Sequence, residues 1–135
     1  LTRGIDEHGN LRAPATHAFK DSPLGPIPAE WEVTPLGNLF YSAVDGPFGS
    51  NLKSEHYVTD NGVRVVRLQN IGEGFFNDAD KAFISSTHAQ TLRRNKVEVG
   101  DLLIASMGDD RHPIARACLY PNSLKTGINK ADCFR

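Results

Sequence analysis

The run Val99-Gly100-Asp101-Leu102-Leu103-Ile104-Ala105-Ser106-Met107 decides how this chain folds. A Gly-Asp turn opens it, and the polar stretch Gly108-Asp109-Asp110-Arg111-His112-Pro113 closes it. A short apolar run bounded by turn chemistry on both sides reads as a buried strand, so residues 102–107 are expected at the centre of a sheet. Downstream, residues 115–120 read as the next strand, closed by Pro121-Asn122. Upstream, Thr87-His88-Ala89-Gln90 matches a capping box, a hydroxyl followed three residues later by Gln. A helix of two turns is expected from there to Asn95, with Arg93 and Arg94 near its C-terminus, where cations suit the helix dipole.

Further out, Val63-Arg64-Val65-Val66-Arg67-Leu68 is β-branched and reads as a strand reaching Ile71. Ile71-Gly72-Glu73-Gly74-Phe75-Phe76 reads as a turn into a short strand, and Phe83-Ile84-Ser85 as another strand. Asp45-Gly46-Pro47-Phe48-Gly49-Ser50 is turn chemistry. Gly46 and Gly49 are expected to supply a positive φ or a close backbone approach there, presenting Ser50, Asn51 and Lys53. Residues 36–44 hold a short helix or strand. Residues 1–30 carry four of the eight prolines and show neither period, so they read as an extended linker, which Trp31 would pin to the core. Ala131-Asp132-Cys133-Phe134 opens a strand. The fold class is therefore α+β: a single domain with a strongly twisted, mostly antiparallel sheet and one or two short helices behind a Pro-rich linker.

At 135 residues, 39% hydrophobic and 23% charged, the composition is that of one soluble globular domain. No apolar run approaches the roughly 18 residues of a membrane span. Leu1-Thr2-Arg3-Gly4 has no apolar core of a signal peptide and reads as the start of a fragment. Without a secretion signal, the two cysteines, Cys118 and Cys133, are expected to be reduced thiols in a cytoplasmic protein. Residues 1–80 hold six basic against eleven acidic side chains, and residues 81–135 nine against five, so a net −5 meets a net +4. Such asymmetry is what one face prepared for a polyanion would show.

Catalytic signatures are missing. The sequence has no G-x-S-x-G elbow, no P-loop and no H-E-x-x-H, and Gly72-Glu73-Gly74 lacks the third glycine of a dinucleotide fingerprint. The five histidines and two cysteines do not fall at metal-ligand spacings, so no metal or cofactor is expected. Asp78, Asp80 and Lys81 match a metal-nuclease cluster only loosely and read as a solvated turn. What remains is a set of polar side chains at strand ends and loops: Ser50, Asn51, Lys53, Arg67, Gln69, Asn70, Arg111, His112, Asn129 and Lys130. Arg, Lys, Asn and Gln are the residue types that hold phosphates and read base edges. Arg67, Arg111, His112 and Lys130 are expected to share one face.

Several stretches together resemble the specificity subunit of type I restriction–modification enzymes. They are Leu1-Thr2-Arg3-Gly4-Ile5-Asp6 with Lys20-Asp21-Ser22-Pro23-Leu24-Gly25 and Ile27-Pro28-Ala29-Glu30-Trp31-Glu32; Asp45-Gly46-Pro47-Phe48-Gly49-Ser50-Asn51-Leu52-Lys53; Val66-Arg67-Leu68-Gln69-Asn70-Ile71-Gly72; Gly100-Asp101-Leu102-Leu103-Ile104; and Ile128-Asn129-Lys130-Ala131. The resemblance implies a target recognition domain over residues 31–135, cut short at its C-terminus, behind the end of a spacer helix and a linker over residues 1–30. It implies no enzyme activity of its own. The implied partners are double-stranded DNA, methyltransferase (modification) subunits and nuclease/translocase (restriction) subunits. Two alternatives stand beside it: the recognition domain of a single-chain restriction–methylation enzyme, and a protein-interaction module that docks a methyltransferase subunit. A sheet edge left open near residues 131–134 is expected to be covered in a homodimer of the isolated fragment, by edge pairing or by exchange of the N-terminal arm, the competing outcome being a monomer whose residues 1–30 fold back over it.

Overall fold

The computed structural model describes residues 2–59 and 61–135, and the chain divides into two compact units, Leu1–Tyr41 and Ser42–Arg135. The fold is α+β, with ten short strands and little helix among the described residues. Strand pairing is antiparallel throughout the described residues except at one central pair.

The first unit is built from turns rather than extended chain. Strands β1 (Phe19–Lys20) and β2 (Ile27–Pro28) pair antiparallel around Gly25, whose φ is 87°. Asp6 caps its own turn by accepting from the amides of His8 and Asn10, both at 2.9 Å. Trp31 is 40% exposed and packs on Gly4 of the same unit, where an added Cβ would lie 2.9 Å from the indole. Within its own unit the ring covers a glycine in a local turn.

The second unit carries a five-stranded sheet, in spatial order β3 (Tyr57–Val58), β5 (Phe83–Ile84), β4 (Val63–Val66), β9 (Gly127–Asn129) and β6 (Lys96–Val97). Strands β4 and β9 run parallel and are buried on both faces, as parallel pairs usually are. Val65 joins a cluster with Leu52, Ile84, Leu92 and Ile128. Val66, one residue on, faces the opposite cluster with Ile71, Leu103, Cys118, Tyr120 and Cys133. A three-stranded sheet follows, in order β10 (Cys133–Phe134), β7 (Leu102–Ala105) and β8 (Ala117–Leu119). β7 is central, as its run predicts, but only Leu103 and Ala105 are inward, and Leu102 is 52% exposed. Val44 and Arg135 exchange both backbone hydrogen bonds, at 2.9 and 3.0 Å. That contact covers the edge beside β10 at this rung, where an open edge was expected.

Helix α1 (Ser86–Thr91) begins earlier than the capping box predicts. Its N-cap is Ser85, whose hydroxyl accepts from the His88 amide at 3.1 Å, and a 3-10 turn (Arg93–Asn95) completes it to the expected end. The strand expected to reach Ile71 stops at Val66, because a 3-10 turn (Leu68–Asn70) intervenes.

Strand β8 enters through a β-bulge. The Ala115 amide donates to the Ala105 carbonyl at 2.9 Å, while the Ala105 amide donates to the Arg116 carbonyl at 3.0 Å. Two residues therefore face one, and the first, Ala115, has φ 65°. A left-handed alanine costs roughly 1–2 kcal/mol, and glycine's extra backbone entropy roughly 0.5–1, so Ala115→Gly is expected to stabilise by about 0.5–1 kcal/mol. A rise in the urea midpoint checks this; a fall contradicts it.

Candidate functional site

Two cations meet over one ring. The Lys130 ammonium lies 5.5 Å from the Tyr57 ring centroid and donates to the Tyr57 hydroxyl at 3.1 Å. The Arg67 guanidinium lies 5.8 Å from the same centroid and pairs with the Asp80 carboxylate. Arg64, on β4, bonds Asp78 at 2.7 Å and donates to the Asp80 carbonyl at 2.7 Å. Lys81 reaches Asp78 at 3.3 Å. Three cations, Arg64, Arg67 and Lys81, thus pair with two carboxylates, Asp78 and Asp80, and Lys130 adds a fourth positive charge on the Tyr57 side. The excess positive charge is fixed by cation–π contact and ion pairing, which lowers the entropy lost when an anion docks.

The chain leaves this cluster through the Leu68–Asn70 turn, and Asn70 locks it. Its carbonyl oxygen accepts from the Arg67 amide at 2.9 Å, and its amide donates to the Asn77 and Asp80 carbonyls at 2.9 and 2.8 Å. Gln69, on the same turn, is exposed and bounds a groove of about 450 Å³. The opposite wall is the loop after β7, with Met107, Gly108, Asp109 and His112. Gly108 is required there, because a Cβ would lie 2.4 Å from the His112 carbonyl. Asp109 organises the loop by accepting from the Arg111 and His112 amides, both at 2.8 Å, and from His112 Nδ1 at 3.0 Å. The Arg111 amide above all, then the His112 ring, holds the Asp109 carboxyl below its ordinary pKa. Arg116 closes the floor. Its guanidinium donates to the carbonyls of Ile71 (2.7 Å) and Leu68 (3.0 Å) on one wall and of Met107 (2.7 Å) and Pro113 (3.2 Å) on the other.

The glycine turn lines a separate hollow of about 580 Å³ with Ser50, Asn51, His56, His88 and Arg94. Both glycines behave as expected, by different means. Gly49 has φ 63°, while a Cβ on Gly46 would lie 1.9 Å from the Lys130 carbonyl carbon. The His56 and His88 rings stack with centroids 4.2 Å apart, and His88 Nε2 donates to the Asn51 carbonyl at 2.8 Å.

The residues singled out in the sequence therefore fall into distinct places. Arg67 and Lys130 converge on Tyr57; Gln69 and His112 face one groove, with exposed Arg111 on the same turn as His112; Ser50 and Asn51 line the hollow. Among the described residues no hydrogen bond or ion pair joins the four residues expected on one face; the Leu68–Asn70 turn links the two groups. Lys53 sits 3.7 Å from Glu55. Asn70 and Asn129 are fully buried and bond the backbone, so their side chains are internal struts rather than presented groups. Arg116 and Tyr57 escape sequence reading, since Arg116 sits inside a predicted strand and Tyr57 belongs to no motif. Burial pushes the thiol of Cys133 up to about 12 and raises that of Cys118, which leaves both poor nucleophiles. Among the described residues no cluster of three metal-ligating side chains forms, and no helix is long and apolar enough to cross a membrane.

No protein-family model matches the chain. Over 105 residues, 78% of this chain, the sequence is 27% identical to the type I restriction enzyme MjaVIII specificity subunit of Methanocaldococcus jannaschii. The match spans 22% of that protein, so this chain covers about a fifth of its relative's length.

Proposed function

We propose that the chain is a target recognition module of a restriction–modification specificity subunit, reading duplex DNA for methyltransferase and nuclease subunits that carry the chemistry. The observation that carries this reading is a fixed excess of cations at Tyr57 joined by one short turn to a groove walled by Gln69 and His112. Phosphate contacts fix register, and base-edge contacts supply sequence information, so the two features divide the task. The similarity to the archaeal specificity subunit supports the same reading. A cytoplasmic location follows from that role.

Charge reversal tests it. Arg67→Glu and Lys130→Glu are each expected to weaken binding to every duplex alike and to lower the salt slope by about 1. Gln69→Ala is expected to relax one base position by about 1–3 kcal/mol instead. Fluorescence anisotropy over a salt series measures both. Wild-type binding to duplex DNA no tighter than to polyphosphate would remove the proposal.

A protein partner is the second reading. Leu102 and Leu119 stand opposite each other on the outer face of the three-stranded sheet, 52% and 62% exposed, and Phe134 beside them is 38% exposed. An apolar face of this kind suits docking to a methyltransferase subunit.

A further inference from the structure

A buried guanidinium whose hydrogen bonds all run to carbonyls needs a physical reason. Arg116 is 9% exposed, and its four hydrogen bonds go to the carbonyls of Leu68, Ile71, Met107 and Pro113. An apolar side chain of similar volume fills such a site without the desolvation penalty of a cation. The arrangement of the acceptors supplies the reason. Two belong to the wall that carries Gln69 and two to the wall that carries His112, and both walls border one groove. The bulge at Ala115, with φ 65°, breaks the strand alternation immediately before Arg116, and bulges re-aim side chains in this way. A planar fork holds its acceptors at fixed separations and angles, which a single ammonium cannot do.

We propose that Arg116 is a positioning residue: it sets the spacing of the two groove walls and thereby the base discrimination by Gln69 and His112. This rests on the DNA reading given above. Arg116 touches no DNA in this scheme. Its effect falls on specificity and leaves phosphate-driven affinity alone.

The test uses the full chain, Arg116→Lys and Arg116→Gln, each carried through selection from a randomised duplex library. Affinity for one unselected duplex is measured in parallel across salt. The wild type is expected to enrich a motif. Both variants are expected to bind the unselected duplex with an unchanged salt slope, while preference for the wild-type motif drops about tenfold or more. A loss of folded protein lowers both affinities together, so it does not mimic this split. In combination with Gln69→Ala, the Arg116→Lys effect on discrimination is expected to be non-additive, since one acts through the other. If the variants fail to fold, amide exchange on the wild type decides: residues 68–75 and 107–113 should open at one shared rate, and independent rates overturn the proposal. An unchanged motif in folded Arg116→Lys and Arg116→Gln overturns it alone. A wild type that enriches no motif overturns the DNA reading, and this proposal with it.

Discussion

Gly46→Ala is expected to destabilise the Ser42–Arg135 unit by about 3 kcal/mol or more, at or above the upper end of overpacking penalties. The reason is the backbone on the other side. A Cβ at Gly46 would sit 1.9 Å from the Lys130 carbonyl carbon, 2.0 Å from its oxygen and 2.4 Å from the Ala131 nitrogen. Nothing there is a flexible side chain that can swing away. Both segments are also held from behind. Asn95 donates to the Asp45 carbonyl at 2.7 Å, Val44 pairs with Arg135, and the Lys130 amide bonds the Val66 carbonyl at 2.9 Å. Relief therefore requires moving an anchored loop or an anchored strand exit. Gly49→Ala is the internal comparison. Its φ is 63°, but a Cβ there meets nothing within 4 Å, so the cost is only the left-handed strain less the backbone entropy that glycine gives up, about 0.5–1 kcal/mol. Urea midpoints give the order. A Gly46→Ala midpoint equal to or above that of Gly49→Ala would remove the close-approach argument. Because the displaced neighbour is Lys130, the same variant is also expected to disturb the cation pair at Tyr57.

What could be read from residues alone, and what could not, follows from how local each feature is. The β-branched run at Val63–Val66 and the bounded apolar run at Leu102–Ala105 form strands because side-chain pattern and turn chemistry agree within a few residues. β9 (Gly127–Asn129) escaped because three residues carry no pattern; it is a strand because β4 and β6 hold it on either side. Gly127 packs closely there: a Cβ would lie 3.0 Å from both the Arg64 carbonyl and the Tyr120 hydroxyl, tighter than an ordinary contact. The cations at Tyr57 were legible as residue types at strand ends, yet their meeting depends on bringing Lys130 to Tyr57 across 73 positions of sequence. Asn70 and Asn129 show the converse. Both are of the type that reads bases, but an Asn can equally satisfy buried backbone groups, and only burial separates the two uses.

Asn129 carries the second large effect. Its side-chain amide donates to the Val44 carbonyl at 2.9 Å and to the Cys133 carbonyl at 2.5 Å, tying the entry to the glycine turn and the last strand to β9. Asn129→Leu keeps the branch at Cγ and the number of heavy atoms, is somewhat bulkier, and removes both donors. The Val44 carbonyl retains the Arg135 amide, whereas the Cys133 carbonyl loses the side-chain donor in a buried site. The expected cost is about 2–3 kcal/mol, the range for buried polar groups left unpaired. Asn129→Asp is expected to be worse at neutral pH, by a further kcal/mol or more, because an ionised carboxylate would face two carbonyl oxygens in a dry interior. The folded state then favours the protonated acid, so the folded pKa stands above the unfolded value of about 3.9. With the folded pKa raised, the stability tied to that proton is fully present below pH about 4 and is lost as pH rises through the folded pKa. The gap between the Asp and Leu variants should therefore narrow as pH falls from 7 toward 5, since the protonated acid regains one donor for the two carbonyls. Comparing the two variants at each pH cancels titration shared with the rest of the chain. A gap that stays constant or widens toward pH 5 would show that Asn129 is not held between Val44 and Cys133 as a donor.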